Sequence, residues 1–501
     1  MRKNIIIIGA GLGGLSAAIR LAELGFEVTI LEKNETVGGK VNTLESGGYR
    51  FDTGASLLTM RNVLEDLFQF AKRDIRDYLD IISCEPICRY FWSDGATLDA
   101  STDLEKTENE IACIDPVDAA NFRKFLSDAK QKYEIAEKTF LAYSLNDLPR
   151  LLRPKYVKDL FAISSLKTLD KHNESYFRSA KIRQLFNRFA TYNGSSPFET
   201  PATFALVPYV EFGLGAWYAR GGMYEIPRAL EKLARESGVK IKLKCEVEKI
   251  EIENKKAFGV RLKSGEIVPG DFVISNADAI ETYRRLIDEK KRPNLPDRKL
   301  DKIEPSSSGF VLLLGVKKRF PNLAHHNVFF SDDYKAEFDA IFKAKRLAPN
   351  PTIYVCATSR IDETQAPEGC ENLFVLVNAP STNSNIEWKK AAKDYRDLII
   401  EKLENFGLRD LENSIEFEQI ITPEDFENKY NANRGSIYGV SSNGFFAAFL
   451  RPPNKARRIE NLYFVGGATH PGGGIPLVLL SGKFAADLIA REVIDETRRG
   501  I

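Results

Sequence analysis

Four consecutive isoleucines, Ile5 to Ile8, run directly into Gly9-Ala10-Gly11-Leu12-Gly13-Gly14. The isoleucine run predicts a buried strand, and the pattern from Leu15 to Leu24 predicts a helix. Val28-Thr29-Ile30-Leu31 predicts a second strand, ending on Glu32. Strand, glycine turn, helix, strand and acid in this order make a dinucleotide-binding unit. Gly9 permits the tight turn, Gly11 admits a pyrophosphate to the backbone, and Gly14 lets the helix pack on the strand. Ala10, Leu12 and Gly13 complete a loop whose free N–H groups stand at the positive end of the helix. Glu32 can accept hydrogen bonds from both ribose hydroxyls, and its charge disfavours a 2′-phosphate. A glycine turn that only serves packing is the competing reading; the strand before it and the acid after it weigh against that.

A chain of 501 residues is too long for one simple core and predicts two or three lobes. Its 71 basic and 70 acidic residues cancel, so no general affinity for nucleic acid is expected. The six cysteines are scattered without a CxxC, the pattern of free thiols in a reducing compartment. Four histidines are too few and too dispersed for a metal site, and the adjacent His325 and His326 are expected on an exposed loop. The N-terminal apolar run is too short for a signal peptide, and Phe310 to Val316 is too short to span a bilayer. The chain is therefore expected in the cytoplasm, with any membrane contact peripheral.

Beyond Glu32 and Lys33, Gly38-Gly39-Lys40 is the first sign that the dinucleotide carries a flavin. The glycines admit the backbone to the phosphates, and Lys40 can neutralise them. Gly47 to Ser56 reads as a hairpin followed by a close-approach loop, in which Gly54 is either beside the cofactor or a plain turn glycine. Helix is expected from Arg61 to about Leu79, and a hairpin turning at Asp94-Gly95. Pro116 to about Phe189 reads as helical and contains the basic, aromatic stretch Leu148 to Phe161. That stretch suits either a membrane interface or a solvated helix face. Val239 to Glu253 alternates as one strand, and Phe272 to Ser275 returns the chain to the nucleotide domain. Residues 282–424 mix strands with a helix near Trp388 to Asn405, which suits a substrate domain on a mixed sheet. Near the C-terminus, Asn461 to Val465 leads into Gly466-Gly467-Ala468-Thr469-His470-Pro471-Gly472-Gly473-Gly474-Ile475-Pro476, and a helix follows. The start of that helix can point at a flavin's pyrimidine ring, where negative charge develops on reduction.

The N-terminal unit, Gly38-Gly39-Lys40, Arg220-Gly221-Gly222 and Thr469 to Pro476 together resemble the bacterial carotenoid (phytoene) desaturase family over nearly the whole chain. Within it, Phe91 to Asp99 is most similar to the 1-hydroxycarotenoid 3,4-desaturases, and Tyr192-Asn193-Gly194-Ser195 with Pro197 suits both phytoene and hydroxycarotenoid types. The resemblance implies an α/β fold with a Rossmann-type FAD-binding domain, amine oxidase/GDI-like, a mixed-sheet substrate domain and a helical membrane-associating region. The expected division assigns residues 1–72, 216–281 and 455–501 to the first, 73–116 and 282–454 to the second, and 117–215 to the third. It also implies non-covalent FAD, contacted further by Lys33, Ala55, Ser56, Val247, Asn276, Gly467, Ala468, Gly474, Ile475 and Pro476. Ala468 stands where related amine oxidases often carry an acid, and no cysteine follows Cys370 to tether a flavin; both weigh against an amine substrate.

The implied reaction moves a hydride from a long polyene to flavin N5 and releases a proton, and the conjugated chain spreads the developing charge. His470 is the candidate proton acceptor, with a loop-structuring hydrogen bond as its alternative. No second GxGxxG follows a strand, which favours oxygen or a quinone over a bound nicotinamide as electron acceptor. A hydroxylated substrate needs a polar partner in its pocket, and the sequence does not name one. Phytoene or diapophytoene desaturation, polyene isomerisation without net oxidation, and non-redox lipid carriage remain alternatives. Attachment is expected at the inner face of the membrane.

Overall fold

The computed structural model describes residues 3–147, 167–444 and 451–499. The isoleucine run forms Asn4–Ile8, the central strand of a five-stranded parallel sheet. Its neighbours are Glu27–Leu31, then Lys240–Lys242, on one side and Phe272–Ser275, then Leu462–Phe464, on the other. Ile5, Ile6 and Ile7 are fully buried because both faces of the sheet are covered. The helix Leu12–Glu23 lies on one face, and the last helix, Ile475–Arg499, crosses it. That crossing depends on Gly482, where a Cβ would stand 2.6 Å from the Gly13 carbonyl oxygen and 2.8 Å from Ala17 N. Ser16 Oγ donates to the Leu479 carbonyl at 2.8 Å across the same contact.

The expected strand from Val239 to Glu253 is two strands in different sheets. Lys240–Lys242 closes the parallel sheet, whereas Val247–Glu253 opens a three-stranded antiparallel sheet with Lys256–Leu262 and Ile267–Pro269. Between them Lys244 adopts φ +56°, as Lys244 and Cys245 donate backbone N–H groups to the Asn34 and Glu32 carbonyls. The helix expected to reach Leu79 stops at Phe70, where Lys72 turns left-handed at φ +56°.

The second large sheet has seven strands and is mixed: only the Cys88–Phe91 and His326–Phe329 pairing is parallel. Its strand Ser308–Val316, one in from an edge, is buried throughout because each face meets a separate core. Phe310, Leu312 and Leu314 pack toward Trp388 and Ile399, while Val311 and Leu313 pack toward Tyr49 and Phe51. The helix Pro116–Lys138 is capped by Asp115, and its Phe122 and Phe125 meet Phe177 and Phe186. The basic stretch Leu148 to Phe161 lies outside the described residues.

Gly482→Val should force the terminal helices apart and lower unfolding stability by about 1–3 kcal/mol. Urea denaturation of the flavin-free protein measures this, and an unchanged midpoint would show that the two helices do not meet there.

Candidate active site

A cavity of about 330 Å3 opens at the C-terminal ends of the parallel strands. Gly9, Gly11, Leu12, Glu32 and Lys33 line it from the first unit, and Gly39, Lys40, Gly54 and Ala55 from the loops after it. Val247, Asn276, Gly467, Ala468, Gly474 and Ile475 complete the sequence-predicted wall. No side chain caps the first turn after Gly11, so its N–H groups are free for an anion. Gly474, just before the second helix, has φ +99° and open space where a side chain would stand.

Five expected residues are not in this wall. Ala10 is fully buried, and its N–H is spent on Glu32 Oε2 at 2.7 Å. Gly13 and Gly14 are packing glycines: a Cβ on Gly13 would meet Asn276 Oδ1 at 2.8 Å, and one on Gly14 the Gly9 carbonyl at 2.4 Å. Ser56 and Pro476 line a second cavity instead, Ser56 through a 2.7 Å hydrogen bond with the Tyr354 hydroxyl.

Glu32 is held rigidly before any ligand arrives. Its Oε2 accepts from Ala10 N, and its Oε1 accepts from Asn34 N at 2.9 Å. Lys40 departs from its expected role as a free phosphate neutraliser. Its Nζ donates to the carbonyls of Ser436 (2.9 Å) and Ile437 (3.1 Å), so two of its three donors are already used. Burial pulls this ammonium down to about 8, with Asp278 opposing the shift. Thr53, from the close-approach loop, also lines the cavity, as do Asp278, Asn431, Tyr438 and Gly439, which no sequence motif marks. Gly439 alone carried a signal: it has φ +75°, and a Cβ there would stand 2.5 Å from Ala468 Cα.

The second cavity, about 370 Å3, lies between the two large sheets and the helical region. Much of its wall is apolar, including Met60, Ile87, Leu206, Val207 and Val328. It shares Gly54, Ala55, Phe374, Leu376, Tyr438 and the segment Gly473 to Ile475 with the first cavity. A ligand in each would therefore meet across one wall. In the second cavity Arg188 and Glu211 form a buried ion pair at 3.0 Å, and Arg188 Nε donates to the Tyr90 hydroxyl at 2.9 Å. Burial raises the Glu211 carboxyl, and Arg188 opposes that shift.

His470 lines the second cavity and is 2% exposed. Its Nε2 faces the carbonyls of Phe140 (3.1 Å) and Tyr143 (3.0 Å). Facing two acceptors, that nitrogen carries the proton and ties the ring to this loop. Burial also lowers the ring to about 4. His325 and His326, expected to be exposed, are 3% and 2% exposed at the start of an inner strand. With Cys84 they bring three ligand-bearing side chains together, against the expectation of dispersed histidines.

The model of the flavin containing amine oxidoreductase family matches residues 12–490. The chain belongs to this family. A 1-hydroxycarotenoid 3,4-desaturase of Flavobacterium sp. (strain P99-3) is 41% identical over 490 residues, covering 97% of this chain and 99% of that protein. A 4,4′-diapolycopene oxygenase of Methylomonas sp is 39% identical over 497 residues, with 98% and 99% covered. A 4,4′-diaponeurosporene oxygenase of Staphylococcus aureus is 39% identical over 500 residues, with the same coverage of 98% and 99%. Among solved structures, an oxidoreductase from Methanosarcina mazei superposes with a TM-score of 0.64 at 19% identity, covering 97% of this chain and 100% of that one. A putrescine oxidase gives 0.64 at 15% identity, with 98% and 99% covered. These last two share the fold. The chain is thus a flavin-containing oxidoreductase whose relatives are carotenoid desaturases and oxygenases.

Replacing Glu32 with Ala should weaken flavin binding at least about tenfold, since hydrogen bonds to a charged group contribute roughly 1.5–3 kcal/mol. Fluorescence titration of the flavin-free protein reads this directly; unchanged affinity would remove Glu32 from the site. Lys40 makes a pH prediction. Its folded-state value of about 8 lies below its ordinary 10.5, so between these the unfolded chain holds a proton that the folded chain has shed. Stability should therefore rise with pH across that window in the flavin-free protein. Lys40→Met should rise less, and parallel curves would contradict the assignment.

Proposed function

We propose that the chain is an FAD-dependent carotenoid desaturase that introduces a C=C bond into an acyclic 1-hydroxycarotenoid by 3,4-desaturation. The observation that carries this reading is the wall shared by the two cavities, formed by Tyr438 and Gly473 to Ile475. FAD, when bound, supplies a hydride acceptor at N5. A dinucleotide is favoured over a mononucleotide because one cavity joins Glu32 and Val247 at one end to Gly474 and Ile475 at the other. Glu32 would hold the ribose, the N–H groups after Gly11 the pyrophosphate, and the helix start at Ile475 the flavin ring.

The chain's own part in the reaction is placement and exclusion of water. Phe374, Leu376 and Tyr438 close the shared wall, and burial keeps the Tyr438 hydroxyl protonated, pushed up to about 12. The ion pair of Arg188 and Glu211 favours an oxygenated substrate over phytoene or diapophytoene. Arg188 Nη2 reaches both Glu211 oxygens, and Nη1 donates to no protein group among the described residues. A substrate hydroxyl can bond to this pair, whereas a pure hydrocarbon would only desolvate it. The 41% identity to a 1-hydroxycarotenoid 3,4-desaturase supports the same choice. The 39% identity to two oxygenases supports a second reading, oxygen insertion into a related polyene.

The chain then divides into a nucleotide domain (1–72, 216–281, 455–501), a substrate domain (73–116, 282–454) and a helical region (117–215) that approaches the inner face of the membrane. Oxygen or a quinone reoxidises the flavin. Among the described residues no helix is long and apolar enough to cross a bilayer, so such contact would be peripheral.

Expression in cells that make 1-hydroxylated acyclic carotenoids should yield a pigment two hydrogens lighter, with little change in cells that make phytoene. Product that gains oxygen instead selects the oxygenase reading, and conversion of phytoene alone overturns the hydroxyl assignment. Replacing both partners, Arg188→Met with Glu211→Leu, avoids a stranded charge. It should lower kcat/KM for the hydroxylated substrate at least about tenfold more than for an unhydroxylated one. Equal losses would show that the pair does not read the hydroxyl.

A further inference from the structure

We propose that Cys84, His325 and His326 form a metal site behind the wall of the substrate cavity, suited to a thiophilic d10 cation, Zn2+. One ligand atom from each of the three residues lies within 4.8 Å of the others. The fold brings them together from distant segments. Cys84 follows the strand Ile81–Ser83, fixed by its N–H to the Ala216 carbonyl at 2.9 Å. His325 and His326 open the strand His326–Phe329, with His326 opposite Cys356 in the neighbouring strand.

Each imidazole has one nitrogen engaged and one left over. His326 Nδ1 is 2.7 Å from the Tyr354 hydroxyl, and His325 Nε2 is 3.7 Å from Cys356 Sγ. His326 Nε2 and His325 Nδ1 are buried and have no hydrogen-bond partner. Unpartnered nitrogens in a protein interior are costly unless something binds them. An outer partner on one ring nitrogen with the other left for the metal is the usual arrangement of ligating histidines. Burial keeps both rings neutral, His325 down at about 3, as metal ligation requires. Cys84 would lose its proton on binding.

Access also fits. His326, Cys88 and Tyr354 line the substrate cavity, which gives an ion a path inward. One sulfur and two nitrogens are a borderline-soft set, which suits zinc over magnesium or calcium. Around zinc these atoms stand at roughly 2.0–2.3 Å from the metal. Binding therefore draws the three side chains closer together and leaves a fourth position open.

The test uses the purified full-length flavoprotein dialysed against Zn2+ and then metal-free buffer. Metal analysis should find one zinc per chain. Its K-edge X-ray absorption should show one sulfur near about 2.3 Å and nitrogen neighbours near about 2.0 Å. Cys84→Ala should remove the sulfur signal and weaken binding at least tenfold, whereas Cys113→Ser, outside the cluster, should change neither. Failure to retain zinc in the wild-type protein overturns the proposal, and so does zinc without a sulfur neighbour. Because the wild-type absorption spectrum decides the ligands, a variant that fails to fold does not remove the test. Flavin content, read from the visible spectrum of the same samples, reports the cofactor site separately.

Discussion

The contact on which the rest depends is the crossing of the first and last helices at Gly482. There the backbone of Ile475–Arg499 passes so close to Gly13 and Ala17 that no side chain fits between them. This closeness ties the two ends of the chain to one sheet and places two helix N-termini on one cavity. Each start carries partial positive charge and free N–H groups. The first, after Gly11, suits a pyrophosphate; the second, at Ile475, suits the electron-rich end of a reduced ring. Asn276, on the loop after an inner strand, packs against both Gly11 and Gly466 and so holds the two glycine loops in register.

A second sheet supplies what the first cannot. Its seven mixed strands and the helices beyond Pro116 enclose a largely apolar space that shares a wall with the cofactor cavity. Buried charge in such a space is expensive. Arg188 and Glu211 persist there as a mutually compensating pair. His470, by contrast, turns its Nε2 to two backbone carbonyls and holds the segment around Phe140 and Tyr143 beside the C-terminal loop.

The local rules of the chain were readable because they are local. A glycine turn between a β-branched run and a helix, an acid closing the next strand, and Asp94-Gly95 between alternating residues each carry their geometry within a few positions. The mixed sheet was legible from its apolar runs, but the break at Lys244 was not. It is made by hydrogen bonds to Asn34 and Glu32, far away in sequence. Lys40 looked like a phosphate partner, and the loop at Ser436 and Ile437 that takes its protons carries no motif. Arg188 and Glu211 lie in segments that read as ordinary helix, so only folding shows that they share a cavity. The two adjacent histidines looked like surface residues because composition cannot show that a neighbouring strand and Cys84 cover them.

The proposed meeting of flavin and polyene takes place across the wall at Tyr438 and Gly473 to Ile475. It is tested most directly by mixing the FAD-loaded protein with an acyclic 1-hydroxycarotenoid in the absence of oxygen and following the visible spectrum in one turnover. The oxidised flavin should bleach in step with formation of a product two hydrogens lighter. A flavin that stays oxidised while the polyene is bound, or a polyene altered without flavin reduction, would contradict it.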